Sequence, residues 1–339
     1  WPRSPGQPQQ GSGMSQQSAR PLNPVPEEFV GDSLGQTLKR AFHATRPKFF
    51  PASALPVIVG SAWGAYASGG FGVYIFVLAL LATVCVHAAS NVLNDVGDES
   101  IGTDRRNELR IYPYTGGSRF IQTGILSQQR MARLGMTLIV IAALAGLALF
   151  LERGPAVITF GVIGIALGVF YSLGPVKLSS LGLGETAVAI AFGILPVTGA
   201  AWLQGAAIDS TLILFSIPVS AWVAAILLIN EVPDAEADGS CGKNTLPVRL
   251  GLRGTANLYF AIQVVAAGVV TLLAVEGHQP MLAPLRPLGL LALAWKAATG
   301  IRGVIENRET MAQSIEATLG IHTIGCLWLA GCALFALWF

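Results

Sequence analysis

A chain of 339 residues that is 53% hydrophobic and 12% charged, with a mean hydropathy of +0.59, lies far from the roughly 25% charged residues of water-soluble domains. The composition excludes a single soluble core and reads as a multi-span membrane protein. The formal net charge is only +2, and a nucleic-acid partner is not expected.

Residues 1–30 are rich in Pro, Gln, Ser and Gly and lack the apolar stretch of a signal peptide, so they are expected to form a disordered tail. Within it, residues 1–13, ahead of Met14, read as an appended remnant or an upstream extension. Residues 31–339 are expected to form one multi-pass domain. Apolar runs of about 20 residues occur near 50–68, 71–94, 132–151, 155–172, 184–203, 211–230, 256–276, 282–301 and 319–338. The expectation is an all-α membrane protein of about nine transmembrane helices, embedded in a lipid bilayer.

Outside the tail, Lys and Arg gather before the first run and in the loops after the second, fourth, sixth and eighth. The positive-inside tendency places those loops and the amino end in the cytoplasm of a cell membrane and the carboxyl end outside. Arg153 and Arg286 fall on the other side, and Lys296 lies inside a span, where it lines a cavity or snorkels.

The segments Asn91–Asp104 and Asn230–Asp238 hold eight of the nineteen Asp and Glu residues. Ionisable groups at a bilayer are costly and usually functional, so the clustering calls for a ligand. Both segments follow spans that run in the same direction, which suits a duplicated four-helix unit with a pseudo-twofold axis along the membrane normal. On a helix Asn94 and Asp98 share a face, as do Asp234 and Asp238. Several anionic oxygens suit Mg2+, which completes its shell with water and substrate phosphate. The pattern therefore predicts a diphosphate substrate. Glu236 is out of phase with its neighbours unless Pro233 breaks the helix.

Arg119 in Thr115-Gly116-Gly117-Ser118-Arg119, Lys177 and Lys243 are candidates to neutralise phosphate oxygens, with the paired glycines letting backbone N–H groups approach an anion. Tyr112, Tyr114 and Tyr171 lie near this charge and can stabilise a carbocation with their ring faces; Tyr171 is the strongest of the three. His87, two turns above the first acidic stretch, is a candidate for the lining of an acceptor pocket. Cys85, Cys241, Cys326 and Cys332 show no metal spacing and read as packing residues. Gly161, Gly164 and Gly168 are expected to allow close helix approach.

At these residues the chain resembles the UbiA-type intramembrane aromatic prenyltransferases, which carry an Asn-Asp-x-x-Asp run followed by a further Asp, and a later Asp-x-x-x-Asp run, on a nine-helix bundle. The matching residues are Asn94-Asp95-x-x-Asp98 with Asp104, and Asp234-x-Glu236-x-Asp238. The family's Tyr-x-x-x-Lys element is only approximated, since Lys177 follows Tyr171 by six residues. Arg46-Pro47-Lys48, Ser118-Arg119 and the run Gly242 to Gly251 resemble the 1,4-dihydroxy-2-naphthoate branch of menaquinone synthesis.

The resemblance implies Mg2+ held by Asn94, Asp98, Asp234 and Asp238, a polyprenyl diphosphate donor and an aromatic acceptor, with Asp95 or Asp104 assisting deprotonation. An ion-coupled transporter is the alternative from another class, but its acids belong at the centres of spans rather than at their ends. The Asp-Gly-x-x-Ala-Arg motif of the CDP-alcohol transferases is absent.

Overall fold

The computed structural model describes residues 21–101, 110–172, 177–304 and 307–336. All regular structure among them is helical. A short amphipathic helix, α1 (Leu34–Ala44), precedes α2 (Pro51–Ser68), α3 (Val73–Ile101), α4 (Gln128–Arg153) and α5 (Ala156–Ser172). The chain continues through α6 (Gly184–Val188), a π-helical stretch at Ala189–Ile194 and α7 (Leu195–Leu203), stacked end to end. Then follow α8 (Ser210–Glu231), α9 (Ala235–Ser240), α10 (Leu246–Val275), α11 (Leu285–Arg302) and α12 (Arg308–Phe335).

Seven helical stretches among the described residues are long and apolar enough to cross a membrane: Pro47–Ser68, Val73–Ser100, Gln128–Arg153, Gly184–Leu203, Ser210–Glu231, Leu246–Val275 and Arg308–Phe335. The fourth and eighth expected spans are present as helices but are weaker. Helix α5 has only 17 residues, and α11 carries Arg286, Lys296 and Arg302 along its length. Lys296 is exposed.

The bundle is organised around α2 and α8, each 72% buried in its apolar stretch, whereas α3 is 33% and α4 22% buried. Helices α2, α8 and α12 pack on one another, and α10 and α11 complete that half. Its core includes Trp222, Tyr259, Phe215, Ile301 and Met311. Helices α3 and α4 pair closely on the other side, and α5 leans on α4. Small residues permit the tightest approaches. A side chain on Gly60 of α2 would meet the Val197 carbonyl of α7 at 2.1 Å, and one on Gly325 of α12 would meet the Trp222 ring at 2.6 Å. The glycines of α5 do not share this role. Nothing lies within 4 Å of a side chain built at Gly161 or Gly168, and Gly164 meets only Leu195. Helix α5 shows its glycine face outward because its neighbours bury so little of it.

Helix starts follow the sequence: Ser33, Ser127, Asp209 and Asn307 each accept a backbone N–H of the first turn. Residues 21–30, grouped by composition with the polar tail, run along the body. Phe29 is buried against Phe120, with ring centroids 5.0 Å apart, and Arg40 donates to the Phe29 and Gly31 carbonyls. The Phe29 anchor, with Arg40 and Lys39 of α1 donating to carbonyls of this segment, outweighs the polar composition there. Cys85, Cys326 and Cys332 are buried thiols and Cys241 is an exposed one.

Candidate active site

Helix α3 runs without a break through the first acidic stretch. Asn94 and Asp98 therefore stack one turn apart, and Asn94 Nδ2 donates to Asp98 Oδ2 at 2.7 Å. Asp95, about 100° around the helix, turns inward and is 2% exposed. Its Oδ2 accepts the Ser118 backbone N–H at 2.9 Å. The Arg46 guanidinium lies within electrostatic range, and Asp95 Oδ1 is buried without a protein donor. Asp95 thus ties the loop Thr115–Arg119 to α3. Two further side chains of the segment after that loop reach the same helix end: Gln122 donates to Glu99 Oε2 at 2.9 Å and Gln128 to Ser100 Oγ at 2.8 Å.

The loop is left-handed at Gly116, Gly117 and Arg119, with φ of 73°, 74° and 65°. For a non-glycine residue such a backbone costs on the order of 1–3 kcal/mol. Thr123 secures it by donating its N–H and its hydroxyl to the Arg119 carbonyl at 3.0 and 2.7 Å. Arg119 is 9% exposed. Tyr114 is also buried, but its hydroxyl donates to Glu316 Oε1 at 2.9 Å, and Lys48 Nζ stands 5.1 Å from its ring centroid. Burial, and then Glu28, raise the Tyr112 phenol above its ordinary value.

The second stretch is built differently. Helix α8 ends at Glu231, and Val232-Pro233-Asp234 form a turn, because Pro233 offers no N–H to continue the ladder. Asp234 caps α9, and the Asp238 N–H donates to its carbonyl at 2.9 Å. Glu236 is exposed. Lys243 Nζ lies 3.0 Å from Asp238 Oδ1. Burial alone would lower the Lys243 ammonium, but Asp238, Asp98 and Asp234 together outweigh it and hold it above its ordinary value. Carboxylates of both stretches therefore surround one ammonium. Tyr171, at the end of α5, lies within electrostatic range of Asp98, Asp238, Glu185 and Glu231. Lys177 is exposed at the start of a 3-10 turn, Leu178–Leu181, and that turn joins the site where the Asn244 N–H donates to the Ser180 carbonyl at 3.0 Å. Asp104 lies outside the described residues.

Glu185 is the largest omission of the sequence reading. It sits at the first turn of α6, 5% exposed, and its carboxyl bonds to that of Glu231 at the end of α8. The signal was a lone acid opening an apolar run of 20 residues. Two turns deeper lies an aromatic layer: His87 Nδ1 is 2.9 Å from Ser53 Oγ, and its ring meets Phe50 and Phe192 at centroid distances of 6.1 and 4.9 Å.

Among the described residues no three His, Cys, Asp or Glu side chains stand close enough to hold one ion. The donor set is nonetheless one for a hard cation: anionic oxygens of Asp98, Asp234 and Asp238 within electrostatic range of a single ammonium. Such a set fits a Mg2+ ion that takes one or two carboxylates and completes its shell with water and phosphate.

The sequence pattern of the UbiA prenyltransferase family matches residues 53–313. The chain belongs to the UbiA prenyltransferase family. It is an enzyme, an aromatic prenyltransferase embedded in a membrane. Among relatives of this UbiA-family enzyme, the 1,4-dihydroxy-2-naphthoate octaprenyltransferase of Haemophilus influenzae is 36% identical over 231 residues, covering 64% of this chain and 71% of that one. The enzyme of the same name from Mycobacterium tuberculosis is 30% identical over 266 residues, covering 78% and 86%. The fold matches that of a UbiA homolog from Archaeoglobus fulgidus bound to DMAPP and Mg2+, with a TM-score of 0.57 at 16% identity over 84% of this chain and 99% of that one. A UbiA homolog from Aeropyrum pernix K1 gives a TM-score of 0.59 at 18% identity over 83% and 97%.

Proposed function

We propose that this UbiA-family enzyme transfers a polyprenyl group from a polyprenyl diphosphate to 1,4-dihydroxy-2-naphthoate, with loss of the acceptor carboxylate as CO2, to give the reduced, dihydroxy form of a demethylmenaquinone. The observation that carries the reading is that carboxylates from two separate helix ends share one neighbourhood: Asp238 is paired with Lys243, Asp98 and Asp234 lie within electrostatic range of the same ammonium, and Asp98 and Asp238 within range of Tyr171. The names of the relatives support the acceptor, and the bound DMAPP and Mg2+ of the A. fulgidus homolog support the donor and the metal.

In this reading Asn94, Asp98, Asp234 and Asp238 hold Mg2+, which when bound neutralises the diphosphate as a leaving group. Lys243, Arg119 and Lys177 add positive charge toward the phosphate oxygens. The C1–O bond of the donor breaks, the electron pair departs with diphosphate, and an allylic cation remains. The Tyr171 ring offers its π-face to that cation. The aromatic ring attacks, a C–C bond forms at the carbon bearing the carboxylate, and CO2 leaves to restore aromaticity. Asp95 positions the Gly116-Gly117-Ser118-Arg119 loop, and Asp104 assists by taking a proton from a ring hydroxyl as the ring attacks and returning it when CO2 has left. Apolar helices around the site exclude water from the cation. The acid-bearing face is cytoplasmic, with the amino end inside a cell membrane and the carboxyl end outside.

The test is product mass from purified protein given Mg2+, a prenyl diphosphate and either 1,4-dihydroxy-2-naphthoate or 4-hydroxybenzoate, with EDTA and Asp98→Asn controls. A decarboxylated prenyl dihydroxynaphthalene, or the quinone that oxygen in air makes from it, is expected. Prenyl hydroxybenzoate alone would move the enzyme to another branch, and no metal-dependent aromatic product would overturn the reading.

A further inference from the structure

The bond between Glu185 and Glu231 leaves an unusual remainder. A carboxyl–carboxyl hydrogen bond uses one proton and one oxygen from each partner. Glu185 Oε1, Glu231 Oε2 and, next to it in the chain, Asn230 Oδ1 are buried and accept no N–H or hydroxyl from the rest of the protein. Buried polar atoms in native proteins are almost always paired, and a buried acceptor without a donor is expensive. One shared proton cannot serve all the acceptor positions of two adjoining carboxyls, so the partner that completes them is a molecule that brings O–H groups.

The location narrows the choice. Glu185 and Glu231 lie within electrostatic range of Tyr171, as do Asp98 and Asp238. Glu231 is one turn from Asp234. The acceptors therefore lie in the neighbourhood of Tyr171, the ring that the proposed reaction sets against the prenyl cation. The packing is built to hold them there. Helix α6 rests on α8, and a side chain added to Gly184 would come within 3.6 Å of Glu231 Oε1. The π-helical stretch that follows α6 is locked to α8 as well, since a side chain on Gly193 would overlap Ser220 at 2.2 Å. π-Helical turns are frequent at functional sites.

Anionic substrate groups do not suit this spot, because carboxyl oxygens repel diphosphate and carboxylate alike. A phenolic hydroxyl does. Resting on the aromatic-acceptor reading above, we infer that Glu185, paired with Glu231, is the residue that binds and orients a ring hydroxyl of the acceptor. A phenol that donates to a carboxyl oxygen gains electron density in its ring, which favours attack on a cation. The same contact turns the acceptor's carboxylate away, toward the positively charged part of the site.

The experiment uses purified full-length protein with Mg2+, a prenyl diphosphate and 1,4-dihydroxy-2-naphthoate, comparing wild type with Glu185→Gln, Glu185→Asp and Glu231→Gln. Expected is a rise in acceptor KM on the order of tenfold in the two Gln variants, with the KM for prenyl diphosphate held within about twofold and partial recovery in Glu185→Asp. A merely structural role would move both KM values together. A comparison on wild type alone needs no variant to fold: 1,4-dimethoxy-2-naphthoate, which lacks the donors, should compete on the order of tenfold more weakly than the dihydroxy compound binds. Unchanged acceptor KM, a parallel rise for both substrates, or equal affinity for the dimethoxy compound overturns the inference. If wild type forms no aromatic product, naphthoate binding followed by tryptophan fluorescence separates the two readings. Binding lost in Glu185→Gln would uphold the hydroxyl site while the proposed reaction fails, and binding absent or indifferent to the substitution would remove both.

Discussion

Asn94-Asp95-Val96-Gly97-Asp98 and Asn230-Glu231-Val232-Pro233-Asp234 share one pattern, Asn followed by an acid and, four residues after the Asn, an Asp. The structure uses the two differently. In the first, the middle acid meets a donor and a cation: Asp95 Oδ2 takes the Ser118 backbone N–H and Arg46 lies within electrostatic range, while Oδ1 is buried without a protein donor. In the second, Glu231 faces another carboxyl and keeps an oxygen that no protein group satisfies. The first stretch is an intact helix and the second is broken at Pro233, after which Asp238 pairs with Lys243 and Asp234 lies within electrostatic range of it. Equivalent positions thus divide the work. In the proposed reaction one half fixes a loop of positive and glycine residues for the donor, and the other leaves acceptors open for the aromatic partner.

The sharpest way to break this comparison is to neutralise one Asp on each side. Asp98→Asn and Asp234→Asn should each lower kcat by a factor on the order of a hundred or more, with product formation at saturating substrates as the measurement; normal turnover in either would remove that stretch from the donor site. Next in size is Asp95→Ala, which leaves the Ser118 N–H buried without an acceptor and should destabilise the protein by about 1–3 kcal/mol. Thermal denaturation should show the loss, and the KM for prenyl diphosphate should rise while that of the acceptor stays. The opposite selectivity is expected of Glu231→Gln.

Lys243 provides a pH test. Its folded value is raised, so its contribution to stability is present in full below the ordinary lysine value and is lost as pH climbs through the raised one. The difference in melting temperature between wild type and Lys243→Met should therefore be constant through neutral pH and shrink in strongly alkaline buffer; a gap that persists there would contradict the ion pair with Asp238. The smallest effect belongs to Asp209→Ala, at the far end of α8 from the acids. It removes the cap on Leu212 N–H, 2.8 Å away, and should cost about 1 kcal/mol of stability with both KM values unchanged.

Much of this was legible in the sequence because the signals were local. Apolar runs gave the helices, and two clusters of acids in a charge-poor chain gave the face on which the site lies. The i, i+4 relation of Asn94 and Asp98 followed from helix geometry alone. What stayed hidden depended on contacts between distant segments. Nothing local says that Asp95 turns inward to meet Ser118, 23 residues on, or that the Glu opening α6 meets the Glu closing α8. Tyr114 stood with Tyr171 as a candidate ring, and only Glu316, 202 residues away, shows where its hydroxyl is engaged. The weakness of α11 as a span was readable from its three basic residues, whereas the outward glycines of α5 were not.

The uneven burial of the bundle has a practical meaning. Helices α2 and α8 rest on protein, but α4, at 22% buried, and α3, at 33%, owe much of their surroundings to lipid chains. Asn94 and Asp98 ride on α3. Extraction into a short-chain detergent replaces that solvent on one side only, so the donor-binding half should loosen while the α2–α8–α12 half stays folded. Catalysis would then fade at temperatures where the circular dichroism of the helices has not yet changed, and returning the protein to bilayers of matching thickness should restore it.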